Sequence, residues 1–167
     1  MSRFKLTSTH TGILTALVMA ALTVYANKSL GQDINGPYNL WTMGIFIIGV
    51  ILAVYLYMVK HGRQSFKLLF QEGFKAFITC TFLMLVFSWF FLKANPQVWE
   101  HKLEENNEML RAEGKRTEQE IAANAEKLKD IFFPMMLSIT TFKYLLAGGI
   151  TAALTAAALQ ASKKTVA

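Results

Sequence analysis

The stretch IFFPMMLSITTFKYLLAGGITAALTAAALQ, residues 131–160, decides the fold. A helix needs about 20 apolar residues to cross a hydrocarbon core of about 30 Å. This run is longer than that, and Lys143 is its only charge. Its second half is built almost wholly from Ala, Gly, Thr and Leu. Three more apolar runs precede it, so helices are expected at about 11–30, 41–59, 74–92 and 132–160. The fold class this implies is all-α: a four-transmembrane-helix polytopic membrane protein forming one membrane domain over 1–167. An extramembrane helical segment, acidic and facing outward, is expected between helices 3 and 4 at 97–130.

Composition agrees with that class. Hydrophobic residues make up 53% of the chain and charged residues 17%, whereas a soluble domain carries nearer about a quarter charged. A net charge of +6 would point to nucleic acid in a soluble protein. Here the bases cluster beside the apolar runs and report orientation in a bilayer, so the expected partner is lipid and not nucleic acid. Cys80 is the only cysteine, which excludes an intrachain disulfide and paired-thiol redox chemistry.

Outward from the deciding stretch, the first run (11–26) follows Arg3 and Lys5. It reads either as a signal peptide, with Val24-Tyr25-Ala26 as the cleavage site, or as a retained membrane helix reaching Leu30 with Lys28 snorkelling at its end. The retained helix is the reading adopted. Gly12, Ala16 and Ala20 give it a smooth face for close helix approach. Asn35-Gly36-Pro37 marks a turn. The second run is flanked by Trp41, Tyr55 and Tyr57, which suit the two interfacial belts. Phe66, Lys67, Leu69 and Phe70 then form an amphipathic stretch. It is either the lead-in to the third helix or a docking helix lying in the inner surface.

After Pro96 the segment 97–130 holds nine acids and six bases, so it is polar throughout. Trp99, Leu103 and Leu110 suggest one thin apolar stripe, and Ile121, Ala125 and Leu128 a second. Two arms of a hairpin, one helix bent at Gly114, and disorder are the alternatives. Glu100, Glu104 and Glu108 share a helical face with no His in a ligand pattern, which reads as a solvated acidic face rather than a metal site.

Lys and Arg sort by side over the short segments. Arg3, Lys5, Lys60, Arg63, Lys67, Lys75, Lys163 and Lys164 fall on one side and Lys28 on the other. Both termini are therefore expected in the cytoplasm, in a bacterial cytoplasmic membrane. Lys143 has no carboxylate within any apolar run to pair with. It is either near mid-depth, leaning on hydroxyls or another chain, or, with Tyr144, an anchor at the outer interface. Gly149, Ala153 and Ala157 give the last helix a small-residue stripe expected to meet the face of Gly12, Ala16 and Ala20.

Read in order, the chain has two helices and a basic link containing Ser65-Phe66-Lys67-Leu68-Leu69-Phe70-Gln71-Glu72-Gly73-Phe74. A third helix, Pro96, a Glu-rich outer segment, a Gly-containing fourth helix and Lys163-Lys164 follow. This order resembles the bacterial membrane family catalogued as domain of unknown function forty-one ninety-nine, common in Bacteroidetes. The resemblance covers nearly the whole chain and carries over no catalytic residue. Members are often encoded near a polyprenol-phosphate glycosyltransferase, which implies an accessory role in cell-envelope glycan assembly.

The residues themselves offer no nucleophile with a base, no metal-ligand cluster and no phosphate loop. The expectation is a non-enzymatic accessory or scaffold subunit with no cofactor, held to a membrane-protein partner or to further copies of itself. A small transporter or flippase component for a lipid-linked or anionic substrate, using Lys143, is the competing reading.

Overall fold

The structure, a computed structural model, describes residues 7–29, 38–62 and 64–161. Arg3, Lys5, the Asn35-Gly36-Pro37 turn, Arg63 and the Lys163-Lys164 tail lie outside the described residues, as does the side chain of Trp99. Among the described residues five helices follow in order: α1 (Ser8–Ser29), α2 (Tyr38–His61), α3 (Phe66–Ala94), α4 (Pro96–Glu113) and α5 (Glu118–Ala161). No strand occurs among the described residues. Four helices, α1, α2, α3 and α5, are long and apolar enough to cross a membrane. The chain is thus an all-α, four-span polytopic membrane protein with α4 as extramembrane helix between the third and fourth spans.

The residues group into two compact units. The first holds α1, α2, α3 as far as Leu85, and α5 from Thr141. The second holds α3 from Val86, α4, and α5 as far as Thr140.

Contacts fix the topology of the first unit. Ser8 and Met19 of α1 meet Glu72 and Cys80 of α3 in matching order, so those helices run parallel. Phe46 and Val54 of α2 likewise match Tyr144 and Ala156 of α5. Across α3 and α5 the order reverses: Gly73 faces Ala152, and Phe77 faces Gly148. Helices α1 and α3 run one way and α2 and α5 the other, the alternation that four successive crossings require. Val54, Leu69 and Ala156 are buried together, with Tyr57, Met58, Phe70 and Leu159 packed on them. Leu17, Ile48, Phe82 and Leu154 point outward, as apolar side chains do when the surrounding solvent is lipid.

Helix α1 buries hydroxyls as well as carbons. Thr15 donates to the Thr11 carbonyl at 2.8 Å and Thr23 to the Met19 carbonyl at 2.9 Å. Bonding back one turn engages each hydroxyl inside its own helix, so α1 can bury threonines.

In the second unit, Pro96 occupies the first turn of α4, where its missing N–H costs nothing. Gly114 ends α4 at φ 62°, and its N–H donates to the Arg111 carbonyl at 3.1 Å. A left-handed residue there is what glycine supplies without strain. Residues 114–117 make the turn of a helical hairpin, and Arg111 bridges Glu104 at 3.1 Å and Glu118 at 3.3 Å. Among the described residues, Leu92, Leu103, Ile121 and Phe132 are the buried apolar ones of this unit.

Two expectations need correcting. The fourth span does not begin a helix at 132: it is the later part of the 44-residue α5, and Pro134 lies inside that helix. An interior proline costs about 3 kcal/mol. The helix continues because Ile121 and Phe132 on one side of it, and Tyr144, Ala152 and Ala156 on the other, are all buried. Nor do Gly12 and Gly149 face each other. A Cβ at Gly12 would collide with the Ala76 carbonyl of α3, while a Cβ at Gly149 would meet nothing within 4 Å.

Candidate functional site

Lys143 is partly buried in α5, and its Nζ donates to Asn39 Oδ1 at 3.0 Å. Asn39 stands in the first turn of α2. Lys143 therefore lies level with one end of a helix about 36 Å long, not with its middle. The same Nζ sits 5.1 Å from the centroid of the Tyr144 ring, within reach of a cation–π attraction. Tyr144 is buried and leans on Phe46, with ring centroids 5.0 Å apart. The amide oxygen and the ring face together accommodate the charge without a carboxylate.

The small-residue faces divide differently from their sequence pattern. Ala16 is buried on α1 with Gly12, and Ala20 is half-buried. On α5 the residues at close approach are Gly148, Ala152 and Ala156. Gly149 and Ala153 are half-buried and Ala157 is exposed. A Cβ at Gly148 would meet the Phe77 ring at 2.6 Å, and one at Gly73 would meet Ala152 Cβ at 2.7 Å. The stripe in contact is thus one residue, about 100° of helix rotation, from the one the sequence suggested.

The amphipathic stretch is the opening of α3 itself. Leu69 is fully buried in the core cluster and Phe70 packs on it, while Phe66 and Lys67 are exposed. This is the lead-in arrangement, with Phe66 and Phe70 stacked at 6.0 Å.

A second locus was not singled out by sequence reasoning. A pocket of about 450 Å³ lies among the start of α1, the end of α2 and the early turns of α3. Its polar lining includes Ser8, Thr9, Lys60, His61, Glu72 and Lys75. Ser8 Oγ donates to Glu72 Oε2 at 2.5 Å, and Lys75 Nζ to Glu72 Oε1 at 2.6 Å, so both carboxylate oxygens are engaged. Its signal in the sequence was Glu72, an acid three residues before Lys75 in an otherwise basic link, though Ser8 is 64 residues away.

Glu100, Glu104 and Glu108 are exposed on α4. Among the described residues no three His, Cys, Asp or Glu side chains come together as a metal site. Cys80 is buried with its Sγ 3.8 Å from Met19 Sδ.

The chain matches no curated protein and no solved structure. Residues 10–161 match the family described as Protein of unknown function (DUF4199), a span that takes in nearly all of α1 through α5, and the chain therefore belongs to that family.

Proposed function

We propose that this protein is a non-catalytic subunit of a membrane assembly, in which the four-span unit holds the chain in the bilayer and the charged hairpin of α4 and early α5 meets a partner. The observation that carries this reading is the seat of Lys143. Its ammonium is taken up by Asn39 and the Tyr144 ring at the level where α2 begins. That favours an interfacial anchor over a substrate-facing charge, since an ionisable group serving transport faces a cavity, and the pocket among α1, α2 and α3 does not include Lys143. The sorting of Lys60, Lys67 and Lys75 away from Lys28 supports cytoplasmic termini and an outward hairpin. The family resemblance supports a place in cell-envelope glycan assembly in a bacterial cytoplasmic membrane.

The test is native co-purification of the tagged protein from its own membranes in mild detergent, with proteins and lipids identified by mass spectrometry. A stoichiometric protein partner is expected. A homo-oligomer carrying a lipid-linked phosphate that Lys143→Ala releases would replace this reading with the transport one.

A further inference from the structure

We propose that the pocket among α1, α2 and α3 binds the phosphate of an anionic lipid headgroup. Three separate elements aim positive charge at it. The first is the start of α1, a 22-residue helix whose opening N–H groups have no intrahelical acceptor and carry the positive end of its dipole. Thr9 adds a hydroxyl at that end, while the Ser8 hydroxyl proton is given to Glu72. The second is Lys60 in the last turn of α2. The third is Lys75 of α3. Glu72 opposes them, but Ser8 and Lys75 already occupy both of its oxygens. Lys60 enters no ion pair among the described residues, so the lining keeps one positive charge in surplus.

The other wall is apolar. Ala53 and Leu56 line it beside Tyr57, a surface suited to a glycerol backbone and the first acyl carbons. The volume of about 450 Å³ falls in the usual range for small-molecule sites, roughly 300–1,000 Å³. Basic pockets between membrane helices are where anionic headgroups are held. The apolar wall selects a lipid over a free phosphate ester, which shares the same anionic chemistry. This site involves neither Lys143 nor the hairpin, so it stands apart from the subunit reading.

The experiment titrates the purified full-length protein in detergent micelles with phosphatidylglycerol, phosphatidylcholine or glycerol 3-phosphate, and counts bound molecules by native mass spectrometry. One phosphatidylglycerol per chain is expected, held about tenfold tighter than phosphatidylcholine. Lys60→Gln and Lys75→Gln should each weaken it about fivefold. Lys67→Gln, exposed on α3 outside the pocket, should leave it unchanged. Displacement of the lipid by glycerol 3-phosphate at equal concentration would assign the site to a soluble phosphate ester and overturn the lipid source. Equal retention of the two lipids, or equal weakening by Lys67→Gln, would overturn the site. The comparison of the two lipids on the unaltered chain needs no variant, so a misfolded variant does not shield the proposal.

Discussion

At the scale of single residues, Gly148 and Gly149 make a direct comparison. They are adjacent, and the sequence treats them alike. Gly148 faces the Phe77 ring with no room for a methyl group, whereas Gly149 faces open space. Gly148→Ala should destabilise the protein by about 1–3 kcal/mol, the usual cost of overpacking. Gly149→Ala should be neutral or gain up to about 1 kcal/mol from helix propensity. Thermal melting of both variants in one detergent measures the difference, and equal shifts would refute the register of α5. Asn39 allows a second comparison. Asn39→Leu removes the acceptor of the Lys143 ammonium and should cost about 1–3 kcal/mol. Adding Lys143→Met should recover much of that loss, because no donor is then left unmatched. A double variant that melts at the simple sum of the two single losses would mean that the Lys143–Asn39 bond contributes nothing.

At the scale of elements, α5 shows how a helix start outside the membrane is secured. The Thr117 N–H donates to Glu120 Oε2 at 2.8 Å, and the Glu120 N–H returns to Thr117 Oγ1 at 3.3 Å. This reciprocal pair is a capping box. The hydrogen bonds from the Thr117 backbone, then from its hydroxyl, hold the Glu120 carboxyl below its ordinary range. A depressed carboxylate stabilises the fold above its unfolded pKa, about 4.3, and that contribution fades as pH falls through the lower folded value. The first turn of α5 should therefore exchange amide hydrogen faster, after correction for intrinsic rates, below about pH 4. Glu120→Gln should remove most of this dependence. A turn whose protection is flat from neutral to acid pH would exclude the cap. Thr117 and Glu120 stand three residues apart in the sequence, the spacing a capping box requires.

At the scale of the whole molecule, a single crossing by each of the four apolar helices puts Gln64, before α3, and Lys115, after it, on opposite sides of the bilayer. With the orientation proposed above, Lys115→Cys should react with a membrane-impermeant maleimide on intact cells, and Gln64→Cys only after the cells are opened. The native Cys80 is buried and should contribute little background. Labelling of both positions from the same side would break the four-span topology.

How much of this was legible follows from what kind of physics each feature obeys. Apolar length is a property of consecutive residues, so the number of spans, the all-helical class and the polar segment between the third and fourth spans are written in the chain. Lys143 could be recognised as the exceptional charge, but its partner is 104 positions away, and no local pattern ties Asn39 to it. Small residues occur on two adjacent stripes of α5, and composition cannot choose between them. Phe77 and Val54 choose, because their bulk fits only where α5 presents Gly148, Ala152 and Ala156. The pocket of Ser8, Lys60, Glu72 and Lys75 is likewise assembled from three helices by their packing. The sequence by itself determined which segments leave water for lipid, since transfer free energy is summed along the chain. Which helix faces touch, and which charges they gather, only the tertiary structure decided, since steric fit is settled between segments far apart in the chain.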